Sequence, residues 1–268
     1  MDIIQRNDPF FQTDLFLKNK ALYCGMAKML ESPFAIIRAD KERDVIFAQK
    51  NESAPIWIWT EELTDQSICD HIAKLFYANY VHRDTLQIIS RPEVGGYVAS
   101  YFSKMKNLSW NTGMKFEAFK IDTDYSEDRQ HRIAKLDYIN DMLLTDVVQG
   151  VPSENRSQIF KRLYSDKEEA TIDIDQLYVF MSEGEIRGTI SIDMTLSEYG
   201  KISDIFLLKA LRGNDIGKTI ILEASEIVMK KGLIPLLFTE RVSRYTRLLQ
   251  NDSRFNHIGS LDEIIIYK

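Results

Sequence analysis

The sequence predicts an α/β protein of two parts, built on a mixed sheet that is flanked by helices. The second half alternates segments in the order β-α-α-β-β-β-α-β-α-β. A helix between the fourth and fifth of those strands requires a parallel crossover, which is typical of α/β domains. The first half is β-rich and carries helices of its own. With 268 residues the chain has room for two ordinary domains, and we expect a boundary in the acidic segment that begins at Asp122, which gives domains 1–121 and 122–268.

The first half opens with a predicted helix after Asp8-Pro9, because apolar residues recur at helical spacing as far as Leu30. Three short β-rich runs follow, separated by charged or Asn/Ser-containing turns. Asp65 caps a second helix, and a third helix begins near Pro92. The predicted strands are 34–38, 45–48, 56–59, 86–89 and 114–121, and the second helix covers 68–81.

The second half is predicted to begin with two helices, one opened by Ser126 and the other by Ser153. A β-hairpin then turns at Glu183-Gly184. A strand, a loop and an amphipathic helix follow, and Gly232 ends that helix. The predicted strands are 177–181, 186–194, 202–208, 233–239 and 264–267, with a short helix between the last two.

Composition and charge exclude several classes of function. The net charge of −6 excludes a generally basic protein that coats nucleic acid. The two cysteines form no Cys-x-x-Cys pair, which excludes a zinc ribbon and a thioredoxin-type site, and the scattered histidines suggest no metal site. The acidic N-terminus does not resemble a signal peptide, and no window approaches about 18 consecutive apolar residues. We therefore expect a cytoplasmic protein without a membrane span.

The segment with the strongest chemical signal is the strand, loop and helix around residues 202–228. Gly213 and Gly217 stand where the loop becomes the helix. Glycines at such a junction let backbone amides approach a ligand closely, and the free N–H groups and the helix dipole then favour an anion. The sequence therefore predicts that this loop binds phosphate or pyrophosphate.

Two common nucleotide motifs do not fit this loop. The dinucleotide fingerprint G-x-G-x-x-G is absent, because the spacing is Gly213-x-x-x-Gly217. The phosphate-binding pattern G-x-x-x-x-G-K-S/T matches at Gly217-Lys218-Thr219, but Arg212 stands where its first glycine belongs. Too little chain follows for the further βα units of a nucleotide-hydrolase core, so a nucleotide-binding protein is the least favoured alternative.

The loop instead resembles the acetyl-CoA pyrophosphate loop of the GNAT superfamily of N-acetyltransferases, whose pattern is Q/R-x-x-G-x-G/A. This pattern is often written R-G-x-G-x-G, and in that form Arg212, Gly213 and Gly217 match it, whereas Asp215 replaces its usual middle glycine. The order of elements from Lys115 onward also agrees with that superfamily. The length and the β-rich first half resemble a two-lobed group of bacterial predicted acetyltransferases, in which the first lobe looks like a degenerate copy of the same fold.

A second motif supports the resemblance. The family pattern after the fifth strand is L-F-T-D-x-x-N-P-x-S-N-x-x-Y-x-x-x-G-Y/F, and residues 237–255 align with it without a gap. The first three positions and the final Phe255 hold, and Glu240 stands for Asp. Gln250 replaces the tyrosine that often serves as the general acid in the family, and Arg254 replaces the glycine.

The resemblance implies a site for acetyl-CoA as cosubstrate. Backbone groups at the end of the strand would pair with the pantetheine arm like an added strand, and the amide of Leu207 would stabilise the oxyanion. The backbone of the loop would hold the pyrophosphate, and Arg247 could reach a phosphate, although a solvated helix face explains that arginine equally well. The residues concerned are Phe206, Leu207, Leu208, Arg212, Gly213, Asn214, Asp215, Ile216, Gly217, Lys218 and Arg247.

The reaction implied is direct attack of a primary amine, on a small molecule or a peptide, with no covalent enzyme intermediate. Asp204 is the first candidate for the general base and Glu240 the second, although Asp204 could also be a strand-edge residue and Glu240 a solvated one. Gln250 cannot donate a proton to a thiolate, so either Tyr245 supplies the phenol or the thiolate leaves unassisted. The alternative is a non-catalytic CoA-binding or regulatory module. The acidic excess favours a cationic acceptor.

Overall fold

The computed structural model describes residues 1–61, 65–122, 148–150, 176–182, 185–196, 198–212, 216–241 and 244–268. The chain divides into two compact units. The first unit consists of residues 1–118, 240–248 and 257–268, and the second of residues 119–239 and 249–256. The first unit therefore contains C-terminal segments of the chain. The predicted domain boundary after residue 121 stays a prediction.

The first unit is built on a sheet that begins with four antiparallel strands, β1 (Asp2–Ile3), β2 (Ile36–Asp40), β3 (Val45–Gln49) and β4 (Ile56–Thr60). Strand β5 (Leu86–Ser90) lies parallel to β4. The C-terminal strand β12 (Phe255–Tyr267) pairs antiparallel with β5, from Asp262 opposite Ser90 to Ile266 opposite Leu86. The last strand of the chain thus extends the sheet of the first unit beyond β5.

Helices cover this sheet. Helices α3 (Gln66–Tyr80) and α4 (Pro92–Lys106) pack on one face against the side chains of β3, β4 and β5. Phe47, Phe76 and Phe102 are fully buried in this core. A second aromatic cluster joins Trp59 to Phe10 and Phe16, with ring centroids 5.4 and 5.5 Å from that of Trp59. Strand β6 (Ser109–Ile121) follows α4.

The second unit contains an antiparallel run of strands, β7 (Val148–Gly150), β8 (Leu177–Ser182), β9 (Glu185–Asp193) and β10 (Tyr199–Leu207). After β10 come helix α5 (Ile216–Met229) and strand β11 (Ile234–Glu240), which lies parallel to β10. Helix α6 (Arg244–Gln250) follows β11. The α5 helix and the parallel β10–β11 pair confirm the predicted crossover.

Three elements differ most in extent from the prediction. The first helix is divided into a 3₁₀ turn (Pro9–Gln12), α1 (Asp14–Asn19) and α2 (Cys24–Leu30), because the Thr13 side chain caps α1 and the chain turns where Leu22 and Tyr23 become fully buried. Strands β6 and β12 begin earlier than predicted. Their early residues are mostly exposed or polar, so no apolar alternation marked them.

Other predictions can be compared only in part. The two helices expected to begin at Ser126 and Ser153, and the turn at Glu183-Gly184, lie outside the described residues. Gly232 follows α5 with φ 75°, as expected of a glycine that ends a helix. Cys24 and Cys69 are both buried and free.

We predict that Gly200→Ala destabilises the protein, because an added Cβ at Gly200 of β10 would lie 2.4 Å from Cγ1 of Val228 on α5. Overpacking of this kind costs about 1–3 kcal/mol, and urea unfolding measures it. The matched control is Gly96→Ala in α4, where an added Cβ meets nothing within 4 Å. Alanine favours a helix interior, so the control should be neutral or stabilising. Equal stability of the two variants would contradict the close packing of α5 on β10.

Candidate functional site

Strands β10 and β11 separate partway along their length. Their parallel ladder runs from Tyr199 opposite Ile234 to Ile202 opposite Leu237. Within the described part of these strands, no ladder pair joins residues 203–207 to β11. The β10 backbone beyond Ile202 therefore has one edge that no strand covers in the described residues. We call this opening the β10–β11 fork.

A bulge lies in β10 where the fork begins. The register of β10 against β9 shifts between Ser203 and Phe206, and Asp204 between them has φ 50°. Gly188 on β9 faces the bulge so closely that an added Cβ would lie 2.6 Å from the carbonyl oxygen of Phe206. Only a glycine leaves room for that backbone oxygen. Bulges bend a strand and redirect its polar groups, and they are enriched next to active sites.

Asp204 stands at the bulge with an exposed side chain. Its Oδ2 accepts a hydrogen bond of 2.9 Å from Ser203 Oγ. Asp and Asn adopt the left-handed backbone region more readily than other non-glycine residues. The left-handed backbone of the bulge is therefore one reason why an aspartate stands at position 204. The same geometry exposes a carboxylate at the fork, so the expectation that Asp204 is a general base stays a prediction.

The end of β10 carries the first of the predicted acetyl-CoA residues. Arg212 Nε donates to the carbonyl oxygen of Leu207 at 2.9 Å, and its guanidinium carbon lies 5.6 Å from the centre of the Phe206 ring. The amide of Leu208 donates to the carbonyl oxygen of Arg187 at 3.0 Å. These two contacts use backbone groups that were expected to face a pantetheine arm. The side chain of Arg212 is exposed.

The loop continues into the N-terminus of α5. Gly213, Asn214 and Asp215 lie outside the described residues. Ile216, Gly217 and Lys218 form the first turn of α5, as predicted. This turn supplies amide groups that have no acceptor inside the helix.

Lys218 is held by a partner that the sequence did not reveal. Its Nζ lies 2.7 Å from Oδ2 of Asp252, in the segment after α6. Arg254 binds the same carboxylate, with Nη2 at 2.7 Å and Nε at 2.8 Å. The hydrogen bonds from Arg254, followed by that from Lys218, hold the pKa of Asp252 far below its usual range. Arg254 stands where the family pattern has glycine, and this pairing gives it a role in fixing the start of α5.

The remaining predicted residues lie around α6. Gln250 ends α6 with an exposed side chain. Glu240 is exposed at the end of β11, and its carbonyl oxygen accepts from Thr246 Oγ1 at 2.6 Å. Arg247 is exposed on α6. Tyr245 belongs to α6, but its side chain lies outside the described residues. Glu240, Tyr245 and Arg247 belong to the first unit, whereas Asp204 belongs to the second.

Sequence reasoning also missed a buried ionic network in the first unit. The Glu117 side chain is 6% exposed and accepts from Arg241 Nε at 2.6 Å and from Ser260 Oγ at 2.7 Å. His257 Nε2 lies 2.5 Å from the same carboxylate. Arg241 Nη2 lies 2.7 Å from Oδ1 of Asp262. The three partners of Glu117 lie more than one hundred residues further along the chain, so no local pattern could have predicted these contacts.

Among the described residues, no three His, Cys, Asp or Glu side chains are placed to hold a metal ion. The helices in the described part of the chain are too short or too polar to cross a membrane.

Comparison with known proteins identifies the fold. No family model and no curated protein sequence matches the chain. The chain is similar in structure to an acetyltransferase of the GNAT family from Colwellia psychrerythraea, with 11% identity and a TM-score of 0.50. That match covers 100% of this chain and 99% of the other. The chain therefore has the GNAT fold, and the whole of its length takes part in the match.

Two other solved structures are also similar. A GCN5-related N-acetyltransferase-like protein from Streptococcus suis 89/1591 has 12% identity and a TM-score of 0.49, with coverage of 89% of this chain and 91% of that one. A tandem GNAT protein from the clavulanic acid biosynthesis pathway has 12% identity and a TM-score of 0.41, with coverage of 98% and 96%.

We predict that Asp252→Asn lowers the free energy of unfolding at pH 7, by about 1–3 kcal/mol, because it leaves two cations without their carboxylate. The pKa of Asp252 is lowered in the folded state. Its contribution is therefore complete above the unfolded pKa of about 3.9 and is lost as the pH falls toward the folded value. Urea unfolding of both proteins should give a constant difference from pH 5 to 8 that shrinks below about pH 4.

The control for this experiment is Asp70→Asn. Asp70 pairs with Lys74 on α3, where the side chains of Lys74 and Asp70 are 60% and 37% exposed. Exposed pairs of this kind contribute about 0.5 kcal/mol or less. A loss in Asp252→Asn no larger than that in the control would contradict a structural role for the Asp252 pair.

Proposed function

We propose that this GNAT-fold protein is an N-acetyltransferase, which transfers the acetyl group of acetyl-CoA to a primary amine of a small molecule or peptide by direct attack. The observation that carries the proposal is the β10–β11 fork with its bulge. A strand whose second edge is open can pair with the amides of an extended ligand, as in the addition of a strand to a sheet. The first turn of α5 follows, and its amides and dipole favour a phosphate.

The described residues at the end of β10 and in the first turn of α5 both fit such a ligand. The backbone from Ser203 to Leu207 offers an open edge beyond the parallel ladder. Arg212 stands exposed at the end of this edge and can pair with a phosphate, since a guanidinium binds phosphate oxygens in a forked geometry. Ile216, Gly217 and Lys218 supply backbone amides in the first turn of α5. In this proposal Arg247 is a further phosphate contact.

Asp204 is the proposed general base. A primary amine must lose a proton before or during its attack on the thioester, and a carboxylate within hydrogen-bond reach can accept it directly or through water. The bulge holds Asp204 at the mouth of the fork with its carboxylate exposed. Ser203 Oγ donates to Oδ2, which orients the carboxylate and leaves Oδ1 for a proton. Glu240 is the second candidate.

The leaving group needs little assistance. A thiol has a pKa of about 8.5, so the thiolate is a fair leaving group near neutral pH. Gln250 can donate a hydrogen bond to a thiolate but cannot give it a proton. We therefore propose that departure proceeds without a general acid, or with the phenol of Tyr245. The amide of Leu207 in the bulged strand is the proposed oxyanion donor.

The test combines binding with turnover. Thermal unfolding is measured with acetyl-CoA, CoA and ATP, and thiol release is then measured with a panel of primary amines, including polyamines, amino acids and peptides. We expect stabilisation by acetyl-CoA and CoA and thiol release with at least one amine class. Stabilisation by ATP alone would exclude an acetyltransferase.

A second candidate function is a CoA-binding or regulatory module, which Gln250 in place of the usual tyrosine favours. Stabilisation by CoA with no thiol release across the amine panel would favour this candidate.

The acidic net charge leads us to expect a cationic acceptor for the acetyltransferase. The KM of that acceptor should then rise with ionic strength.

We predict that Asp204→Asn lowers kcat/KM by about 10²–10⁴-fold, which is the usual contribution of a general base. Asparagine also tolerates the left-handed backbone at this position, so the bulge should survive. The pH profile of kcat/KM should change as well. The control is Ser203→Ala, which keeps the carboxylate and removes only its 2.9 Å hydrogen bond. An unchanged rate and profile in Asp204→Asn would remove this residue from the mechanism.

A further inference from the structure

The first unit contains a second pair of parallel strands that separate. β4 and β5 pair at Ile56 opposite Ile88 and at Trp57 opposite Ile89, although β4 continues to Thr60. Thr60 is the last residue of β4, and Arg91 directly follows β5. Both side chains therefore begin at the carboxyl ends of adjacent parallel strands. Ligands of open α/β sheets commonly bind at this position.

Arg91 is a buried cation without an anionic partner in the described residues. Arg91 is 9% exposed. Nη2 donates to the neutral Oδ1 of Asn19 at 3.1 Å, and Nε is buried with no acceptor among the residues described. A buried charge is costly unless an opposite charge and hydrogen bonds compensate it. Within the described residues, this guanidinium therefore lacks its usual counter-ion.

Two hydroxyl groups lie beside this guanidinium. Tyr23 is fully buried and Thr60 is 1% exposed, and neither Tyr23 Oη nor Thr60 Oγ1 has a hydrogen-bond partner in the described part of the chain. Burial raises the pKa of the Tyr23 phenol, and the charge of Arg91 and the hydrogen-bonding groups of Thr60 and Arg91 beside the phenol act in the opposite direction. The phenol therefore stays protonated at neutral pH and can donate. Each of the three side chains can donate a hydrogen bond here.

Packing next to these donors is close. Gly259 of β12 lies on one side, where an added Cβ would be 2.8 Å from Leu22 and 3.7 Å from Arg91 Nη1. Leu22 is 1% exposed. This close packing limits any ligand to a small molecule. Water could accept hydrogen bonds from the hydroxyls, but it would not neutralise the guanidinium.

We propose that Arg91, Tyr23 and Thr60 form a binding site for a small carboxylate at the carboxyl ends of β4 and β5. The planar guanidinium matches the two oxygens of a carboxylate, and the two hydroxyls donate to the same oxygens. The site lies within the first unit and is independent of the proposed acetyl transfer.

The test is the thermal unfolding of the full chain with sodium acetate, formate and sulfate. The ionic strength is held constant with a bulky organic sulfonate. A ligand that binds only the folded state raises the melting temperature in a saturable way, by about 5 °C at 100 times its Kd. We expect acetate or formate to produce this shift in the native protein and sulfate to produce none. An equal shift with sulfate would indicate a general salt effect and would overturn the proposal.

Three variants separate binding from structure. Arg91→Met should abolish the shift, and Thr60→Val should weaken the apparent affinity several-fold while the fold is kept. The matched control is Arg83→Met, because Arg83 lies 5.4 Å from the Tyr80 ring and has no carboxylate partner in the described residues. It should keep the full shift.

The stability of the variants without added anion gives an independent readout. Removing an unpaired buried charge should leave Arg91→Met at least as stable as the native protein in anion-free buffer. If Arg91→Met does not fold, Arg91 is structural and the proposal fails unless Thr60→Val weakens binding of ¹³C-labelled acetate observed by NMR. An acetate shift that is equal in native and Arg91→Met protein, or absent up to 100-fold excess over protein, would overturn the site.

Discussion

The end of the parallel ladder between β10 and β11 determines the rest of the candidate site. Ladder pairing stops at Ile202, and the bulge at Asp204 follows at once. Because side chains alternate along a strand, a shift of one residue would exchange the groups on its two faces. Gly200 fixes the strand just before this point, since α5 packs so closely there that no side chain fits. Gly188 of β9 faces the bulge, and there too the packing leaves no room for a side chain.

Charge in this acidic chain is organised locally. The net charge of −6 would disfavour a polyanionic ligand in general. The second unit nevertheless gathers Arg212, Lys218 and Arg254 around the start of α5 and the end of α6, with Asp252 as the carboxylate that two of them share. In the first unit, two buried carboxylates, Glu117 and Asp262, share Arg241. Buried charges persist where such partners compensate them.

The two units use a similar arrangement of strands in different ways. Each has a parallel pair whose ladder is short, β4–β5 in the first unit and β10–β11 in the second, and each pair is joined through a helix. At the fork of the second unit Asp204 is exposed, whereas at that of the first unit Thr60 is buried. An exposed fork suits a long ligand that enters from solvent. A buried one suits, at most, a small ion.

The sequence by itself determined the order and type of most of the described elements, among them the strand and helix on either side of the glycine loop in the second unit. It could do so because hydrophobic periodicity and glycine placement are local properties. It could not determine the full length of β12, whose polar residues such as His257 pair with distant groups such as Glu117. Nor could it determine the Asp252 partner of Lys218, or that the end of the chain extends the first unit's sheet. Those features depend on contacts between residues far apart in the chain, which only the tertiary structure brings together.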